Sequence, residues 1–454
     1  LGAGGGSVDL SCRDLGLSYP VEEEAPSHLQ TVFGRLYSDP RTARRNAVTL
    51  TKAATVRLSK GADAVEQRFR GEFLPEFDAE MNVLEIANFE RMEMAELFAL
   101  IERLREDFVT STHVEVEIVN IAADFHLARA KEAITGEGLD PAAVLGSSEA
   151  AVPSRALSEA LALPSRERKQ HLVDRLGHRS AFDYELSEPR YSETPDHFDA
   201  FCHLQKHGAR EAVIESPKMT ADVIAMVERA RRYQTLKEDA KHESLRQLAV
   251  LRHALMELDR RLNLSGLVFY LTFDELQDLR IHGTARFRPL AAGRQEKRRE
   301  LLAMPALPTR LTLAELEAVS LTNASQAGGD ISDLKGTRVS GSSTASGRCC
   351  IVSEEIAETG RPIENFLDGD IIVCSMVHPA WLPFVLRSSG VVSEVGGWLS
   401  HMAIVAREHD IPMIVGARGL GAIPDQSRLT LHPDGGVEVS ALADKDGGSE
   451  LMTS

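Results

Sequence analysis

Residues 391–416, VVSEVGGWLSHMAIVAREHDIPMIVG, leave this chain few ways to fold. Val391 and Val392 open a strand-like apolar run that meets the glycine pair Gly396-Gly397. Ser400 and His401 follow, then a helix-period segment ending near His409-Asp410, a stop at Pro412 and a second apolar strand. The pattern predicts strand, tight turn, helix, strand, with one imidazole at the first turn of the helix. A glycine loop lies beside that imidazole, and its backbone can approach a ligand closely. The first amides of a helix lack intrahelical partners and the macrodipole is positive there, so this end holds anions. A nucleophilic histidine so placed is suited to carrying a phosphoryl group. A lone histidine is more often a cap or a surface residue, and it is the pattern around His401 that sets it apart. A metal role has little support, because the next histidine is His409 and no Cys/His cluster accompanies the pair.

The same segment resembles the phosphohistidine signature of the phosphoenolpyruvate-utilising enzymes, among them phosphoenolpyruvate synthase, pyruvate phosphate dikinase and rifampin phosphotransferase. Gly396, Gly397, Ser400, His401, Ile404, Ala406, Arg407, Glu408, Ile411, Pro412 and Gly416 fall in register with it. Ser393 replaces the usual threonine, Trp398 follows the glycines, and Met402 stands where a small residue is common. The resemblance implies that His401 is the phosphoryl carrier and that Gly396, Gly397 and Ser400 make the phosphate environment. Ser400 also suits a helix cap. Arg407 and Glu408 lie nearly two turns along the helix, where a structural ion pair or a domain-docking contact is expected.

At 454 residues the chain is too long for one core, and its length implies two to four domains. A net charge of −17 argues against a nucleic-acid partner, and the short basic stretch Arg294–Arg299 reads as a solvated helix face. No run has the length of a membrane span and no signal peptide is evident. Cys12, Cys202, Cys349, Cys350 and Cys374 form no C-x-x-C, which suits reduced thiols in a cytoplasm. The opening Leu-Gly-Ala-Gly-Gly-Gly-Ser in place of a methionine suggests a fragment of a longer polypeptide.

Residues 1–30 read as a linker or irregular opening segment, and 31–321 as a helical domain. Candidate helices are 45–70, 78–109, 113–136, 153–176 and 217–263. In the last, Met226, Ala230, Tyr233, Leu236, Ala240, Leu248, Leu251, Leu255 and Leu258 recur near helical spacing and read as core. Val268–Leu271 reads as a short strand, and Thr272 with Glu275 as a capping box opening another helix. The Gly-rich stretch 322–333 is the clearest boundary, and its twelve residues could span about 40 Å if extended. Residues 334–440 read as a compact α/β domain with a hairpin near Pro433–Gly436, and 441–454 as a disordered tail.

The resemblance extends along this organisation. Gly369-Asp370 with Ile371–Val373, and Pro379, Trp381 and Pro383, are similar to the swivelling domain's strand and turn motifs, whereas its S-P-G-x-x-x-G is stretched at Ser340–Gly347 and lacks the proline. In the helical part, Gly34–Tyr37, Gly177-His178-Arg179 with Glu185 and Pro189-Arg190-Tyr191, and Phe269–Thr272 with Glu275-Leu276 resemble segments of rifampin-phosphotransferase-type enzymes. The fold class implied is multidomain α and α/β: a large all-helical domain followed by a small swivelling β/β/α phosphohistidine domain.

Lys237 and Lys241 stand at i,i+4 and share a helix face. By themselves they read as a solvated pair. The resemblance gives such a basic pair a role in transfer, though its first member is usually arginine, and Lys237 lacks the guanidinium fork. His178 and Arg179 would offer a base and a phosphate-binding cation, or a helix-end cap with a surface charge.

No Walker-type loop is present, nor any recognisable ATP-grasp domain, and nothing after residue 440 accommodates a pyruvate-binding barrel. The resemblance therefore implies a dikinase-type phosphotransferase that depends on an absent or separate ATP-grasp domain or subunit for ATP and Mg2+, neither being bound by this chain. A small-molecule hydroxyl would be the acceptor. The alternatives are a subunit of a split phosphoenolpyruvate-synthase-like or phenylphosphate-synthase-like complex, and a non-catalytic regulatory relative.

Overall fold

The computed structural model describes residues 29–32, 35–38, 63–145, 152–180, 182–199, 218–302, 334–341, 343–352, 356, 363, 365–378, 381–397, 401–417 and 419–440. Residues 29–32, 35–38, 142, 143, 153, 154, 401, 404 and 408 are described by backbone alone. Most of the opening segment 1–30, the linker 322–333 and the tail 441–454 lie outside the described residues, as do Ser400 and Trp398. The chain divides into two compact units, Leu1–Pro195 with Ser216–Met304, and Asp196–Glu215 with Pro305–Ser454.

The first unit is largely helical. It is not wholly so, because β1 (Leu29–Val32) and β2 (Arg35–Ser38) pair as an antiparallel hairpin where helix or irregular chain was expected. Helices α1 (Ala64–Arg68) and α2 (Leu74–Leu84) run together through a π turn at Phe69–Phe73. The expected helix 78–109 is broken. The Asn88 side chain accepts from the Glu90 amide, and Glu93 and Glu96 form a capping box that starts α3 (Met94–Asp107) afresh. After a π turn comes α4 (His113–Gly136), with the expected bounds. Following α5 (Pro141–Leu145), the expected helix 153–176 is two, α6 (Val152–Ala162) and α7 (Ser165–Leu176). Pro164, whose ring disfavours helical backbone at the residue before it, separates them.

The axis of the unit is α8 (Ala221–Leu262), 42 residues and about 63 Å long. Its apolar stripe is core, as the periodicity predicts. Ala230, Tyr233, Leu236, Leu248, Leu251 and Leu258 are buried, and Met226 is partly so. One end packs on Ala130 and Ile134 of α4, the middle on Val116, Val119 and Ala123, and the far end on Leu97, Ile101 and Leu104 of α3.

The helix stops at Asn263, whose left-handed backbone (φ 51°) closes the last turn. Here the chain departs from the predicted strand at Val268–Leu271. The Asp259 carboxylate accepts from the amides of Gly266 and Val268, and Leu267–Tyr270 winds into a 3₁₀ turn. Thr272 and Glu275 then form the expected capping box of α9 (Phe273–His282), and α10 (Phe287–Leu302) follows. Among the described residues, no helix is long and apolar enough to cross a membrane.

The second unit is built on a seven-stranded sheet in the order β3-β7-β6-β5-β4-β8-β9. Its strands are β3 (Thr337–Ser340), β4 (Ala345–Ile351), β5 (Ile371–Met376), β6 (Gly390–Val395), β7 (Met413–Val415), β8 (Arg428–Leu431) and β9 (Val437–Ser440). Strands β4 to β7 are parallel, and β3, β8 and β9 flank them antiparallel. Ile371–Cys374 and Gly390–Ser393 are buried residue after residue, as expected of strands covered on both faces. A short helix, α11 (Leu382–Val385), carries the buried Trp381 at its start. The predicted hairpin is the β8–β9 turn.

Candidate functional site

Strand β6 ends at Val395, Gly396 and Gly397 follow, and α12 (His401–Glu408) begins at His401. The backbone thus places His401 at a helix N-terminus reached from the carboxyl end of a parallel strand, where open α/β sheets bind ligands. The Ser400 position and the His401 side chain lie outside the described residues. A Cβ on Gly396 would come within 2.9 Å of Val415 Cγ1, so glycine lets the loop pass over the end of β7. At Gly397 a Cβ would meet nothing within 4 Å. Ser393, in the usual threonine's place, is fully buried, and Met402 fills a core position.

The C-terminus of α12 is fixed as firmly. Asp410 is left-handed (φ 51°), its amide donates to Arg407 O, and the Ile411 amide reaches Ala406 O at 2.7 Å. This double closure is a Schellman motif, and Pro412 prevents any continuation. Arg407 Nη1 donates to Val339 O at 3.1 Å, tying the helix to β3.

The sequence-derived candidates of the helical unit are only partly brought together. Lys237 Nζ pairs with Asp124 at 3.1 Å, whereas Lys241 Nζ lies 3.0 Å from Asp183 Oδ2. Asp183 Oδ2 also accepts from Arg179 Nη2 at 2.6 Å. Lys241 and Arg179 therefore meet on one carboxylate, while Lys237, one turn away, serves a different partner. Burial works against the charge on Asp183, but Arg179 and then Lys241 outweigh it and hold the carboxyl well below its usual range. The same pairing raises the Arg179 guanidinium despite burial.

His178 Nε2 donates to the His242 carbonyl at 3.1 Å, and the two rings meet edge-on at 4.5 Å. Burial, then the neighbouring Arg179, push the His178 pKa down to about 3. Burial and His178 push that of His242 down to about 2. His178 is thus a neutral imidazole with its Nδ1 lone pair left, and a weak base.

Two participants escaped the sequence reading, Asp183 and Tyr184. The Lys241 ammonium stands 5.7 Å over the Tyr184 ring. That ring also lines a cavity of about 550 Å³ together with Phe269, Phe273, Leu186, Leu255 and Arg105. The Arg105 guanidinium lies 5.2 Å over Phe273. The available signal was the i,i+4 spacing of Arg179 and Asp183, a readable charge pair. Among the described residues, no group of three or more His, Cys, Asp or Glu side chains could hold a metal ion.

Residues 366–436 match the family model described as PEP-utilising enzyme, mobile domain. A rifampicin phosphotransferase of Streptomyces sviceus is 28% identical over 313 residues, covering 61% of this chain and 34% of that protein. A second, from a Streptomyces species, is 26% identical over 303 residues, 59% of this chain and 34% of its own length. A Bacillus subtilis protein of the same name is 39% identical over 74 residues, 16% of this chain and 8% of that protein. Over about three fifths of its length the chain is similar to rifampicin phosphotransferases, and residues 366–436 are similar to the mobile domain of PEP-utilising enzymes. The chain spans about a third of the length of the Streptomyces relatives. Its mobile domain holds the whole segment from Gly396 to Gly416, and hence His401.

Proposed function

We propose that this chain is the carrier-and-acceptor part of a dikinase-type phosphotransferase. His401 takes a phosphoryl group that originates on ATP and passes it to a hydroxyl of a small molecule bound in the helical unit. The observation that carries this reading is the position of His401, first residue of α12 behind the Gly396-Gly397 loop, inside the mobile-domain match. Neutral imidazole is a good nucleophile near neutral pH and a good leaving group once protonated. A helix N-terminus adds about 0.3–2 kcal/mol to anion binding, enough to orient the phosphate without trapping it.

An ATP-grasp domain, on the same polypeptide or on a separate subunit, charges the histidine. The full cycle consumes ATP, water and the acceptor, and releases AMP, inorganic phosphate and the phosphorylated acceptor. In the transfer step the acceptor oxygen bonds to phosphorus as the phosphorus–nitrogen bond breaks. The electron pair returns to the imidazole of His401, which also takes up the hydroxyl proton.

The cavity beside Tyr184 has the size of a drug-sized ligand site, and its lining mixes aromatic and apolar side chains with Arg105, Glu185 and Asp274. The relatives are named for rifampicin, so rifampicin is the first acceptor to supply. The test is incubation with an ATP-grasp partner and β-labelled ATP, followed by a search for acid-labile, base-stable label. Label on the wild type and none on His401→Ala is expected. Label persisting in His401→Ala removes the carrier assignment, and an unlabelled wild type favours a non-catalytic relative.

A further inference from the structure

We infer that Asp183 is a positioning residue that holds Lys241 ready for the phosphoryl group, an inference resting on the phosphotransferase reading above. The carboxylate is fixed from several sides. Arg179 bonds both its oxygens, Nη2 to Oδ2 at 2.6 Å and Nε to Oδ1 at 3.3 Å, and the Ser180 amide lies 3.4 Å from Oδ1. Its own backbone is pinned by the fully buried Arg190, whose Nη1 donates to Asp183 O at 2.8 Å and to Ser180 Oγ at 3.0 Å. Against this rigid acceptor the Lys241 ammonium rests at 3.0 Å, with Asp183 only 11% exposed and Lys241 33%.

A lysine on a flexible stem is a poorly placed point charge unless something holds it. Here the holder is Asp183, and the next residue, Tyr184, forms both the ring under the ammonium and a wall of the cavity. Arg179 and Lys241 share the one Asp183 carboxylate, and Glu238 also acts on Arg179. Without Asp183, Arg179 and Lys241 would repel one another. Asp183 does not take the acceptor's proton, because its ion pairs keep it ionised and weakly basic. In the transfer step Lys241 neutralises charge on the phosphoryl oxygens while the phosphorus–nitrogen bond to His401 gives way to the new phosphorus–oxygen bond.

The test has two readouts. In the first, no substrate is added, and acetylation of Lys241 and Lys237 is followed by mass spectrometry in wild type and Asp183→Asn. Lys241 should react several-fold faster in the variant, while Lys237, paired with Asp124, keeps its rate. Equal Lys241 rates overturn the inference whatever the protein's activity.

In the second, His401 is charged with an ATP-grasp partner and β-labelled ATP, and rifampicin is supplied as acceptor. Asp183→Asn should charge normally, yet lose about 100-fold in kcat for transfer with KM within a few-fold, and Asp183→Glu should recover part of the loss. The double variant with Lys241→Gln should be no slower than Lys241→Gln alone, which separates action through Lys241 from general loosening of the fold. A released Lys241 with undiminished transfer overturns the positioning role and leaves the phosphotransferase reading standing. An uncharged wild type overturns that reading, and the inference with it, while the acetylation rates still report whether Asp183 holds Lys241.

Discussion

The two glycines before His401 look alike in sequence and differ in what they do. Gly396 has no room for a Cβ beside Val415, whereas Gly397 has open space. Gly396→Ala is therefore expected to shift the loop and reduce His401 charging, at a stability cost of about 1–3 kcal/mol from overpacking. Gly397→Ala should leave stability within about 0.5 kcal/mol. Loss of charging in Gly397→Ala with unchanged stability would mean that phosphate approaches at that residue. Phosphohistidine yield and urea midpoints, measured together, separate the cases.

The paired histidines give a second residue-level expectation. His178 and His242 titrate far lower in the fold than the ordinary 6.5, because burial disfavours their charge. Between about pH 3 and 6.5 the unfolded chain binds the more protons, so this contribution is complete above about pH 6.5 and is lost as pH falls. Each imidazole contributes a slope of up to about 1.4 kcal/mol per pH unit. The urea midpoint of the helical unit should drop between pH 7.5 and 5.0, and in His178→Asn it should drop less. Equal pH dependence in both proteins would contradict the assignment.

Elements with one amphipathic period and clear ends were legible from sequence, and α4 and α8 are the examples. Their apolar stripes are the buried ones, and Asn263 marks the stop. The errors arose where a local polar contact overrides a continuing pattern. Asn88 and Glu93 restart a helix inside an unbroken hydrophobic period, and Asp259 winds an apolar, strand-like run into a 3₁₀ turn. The site divides in the same way. The segment around His401 is contiguous, so its layout could be read directly, whereas Asp183 and Tyr184 meet Lys241 only through the packing of a distant loop. The role of α8 as common wall also fixes an expectation. Leu251 is fully buried in the cluster shared with α3, so Leu251→Ala should cost about 2–5 kcal/mol. A change below about 1 kcal/mol in urea unfolding followed by far-ultraviolet circular dichroism would show that this cluster is not the main core.

On the scale of the whole chain, the two units have separate interiors. One is the layered helical core along α8, and the other is the sheet cluster of Ile371, Val373, Val392, Ile414 and Leu429. On the proposed reading, a carrier that delivers a covalently held group needs its own stability, because each trip must not require unfolding of the unit that receives it. Separate cores meet that need, and they make a calorimetric prediction. Heating the intact chain should give two transitions. Leu251→Ala should lower one by several degrees and leave the other in place, and Ile414→Ala, at a fully buried position of β7, should do the reverse. A single transition moved equally by both variants would mean that the units unfold as one body. The carrier would then have to move without thermodynamic independence, and delivery by a swinging domain would lose its physical basis.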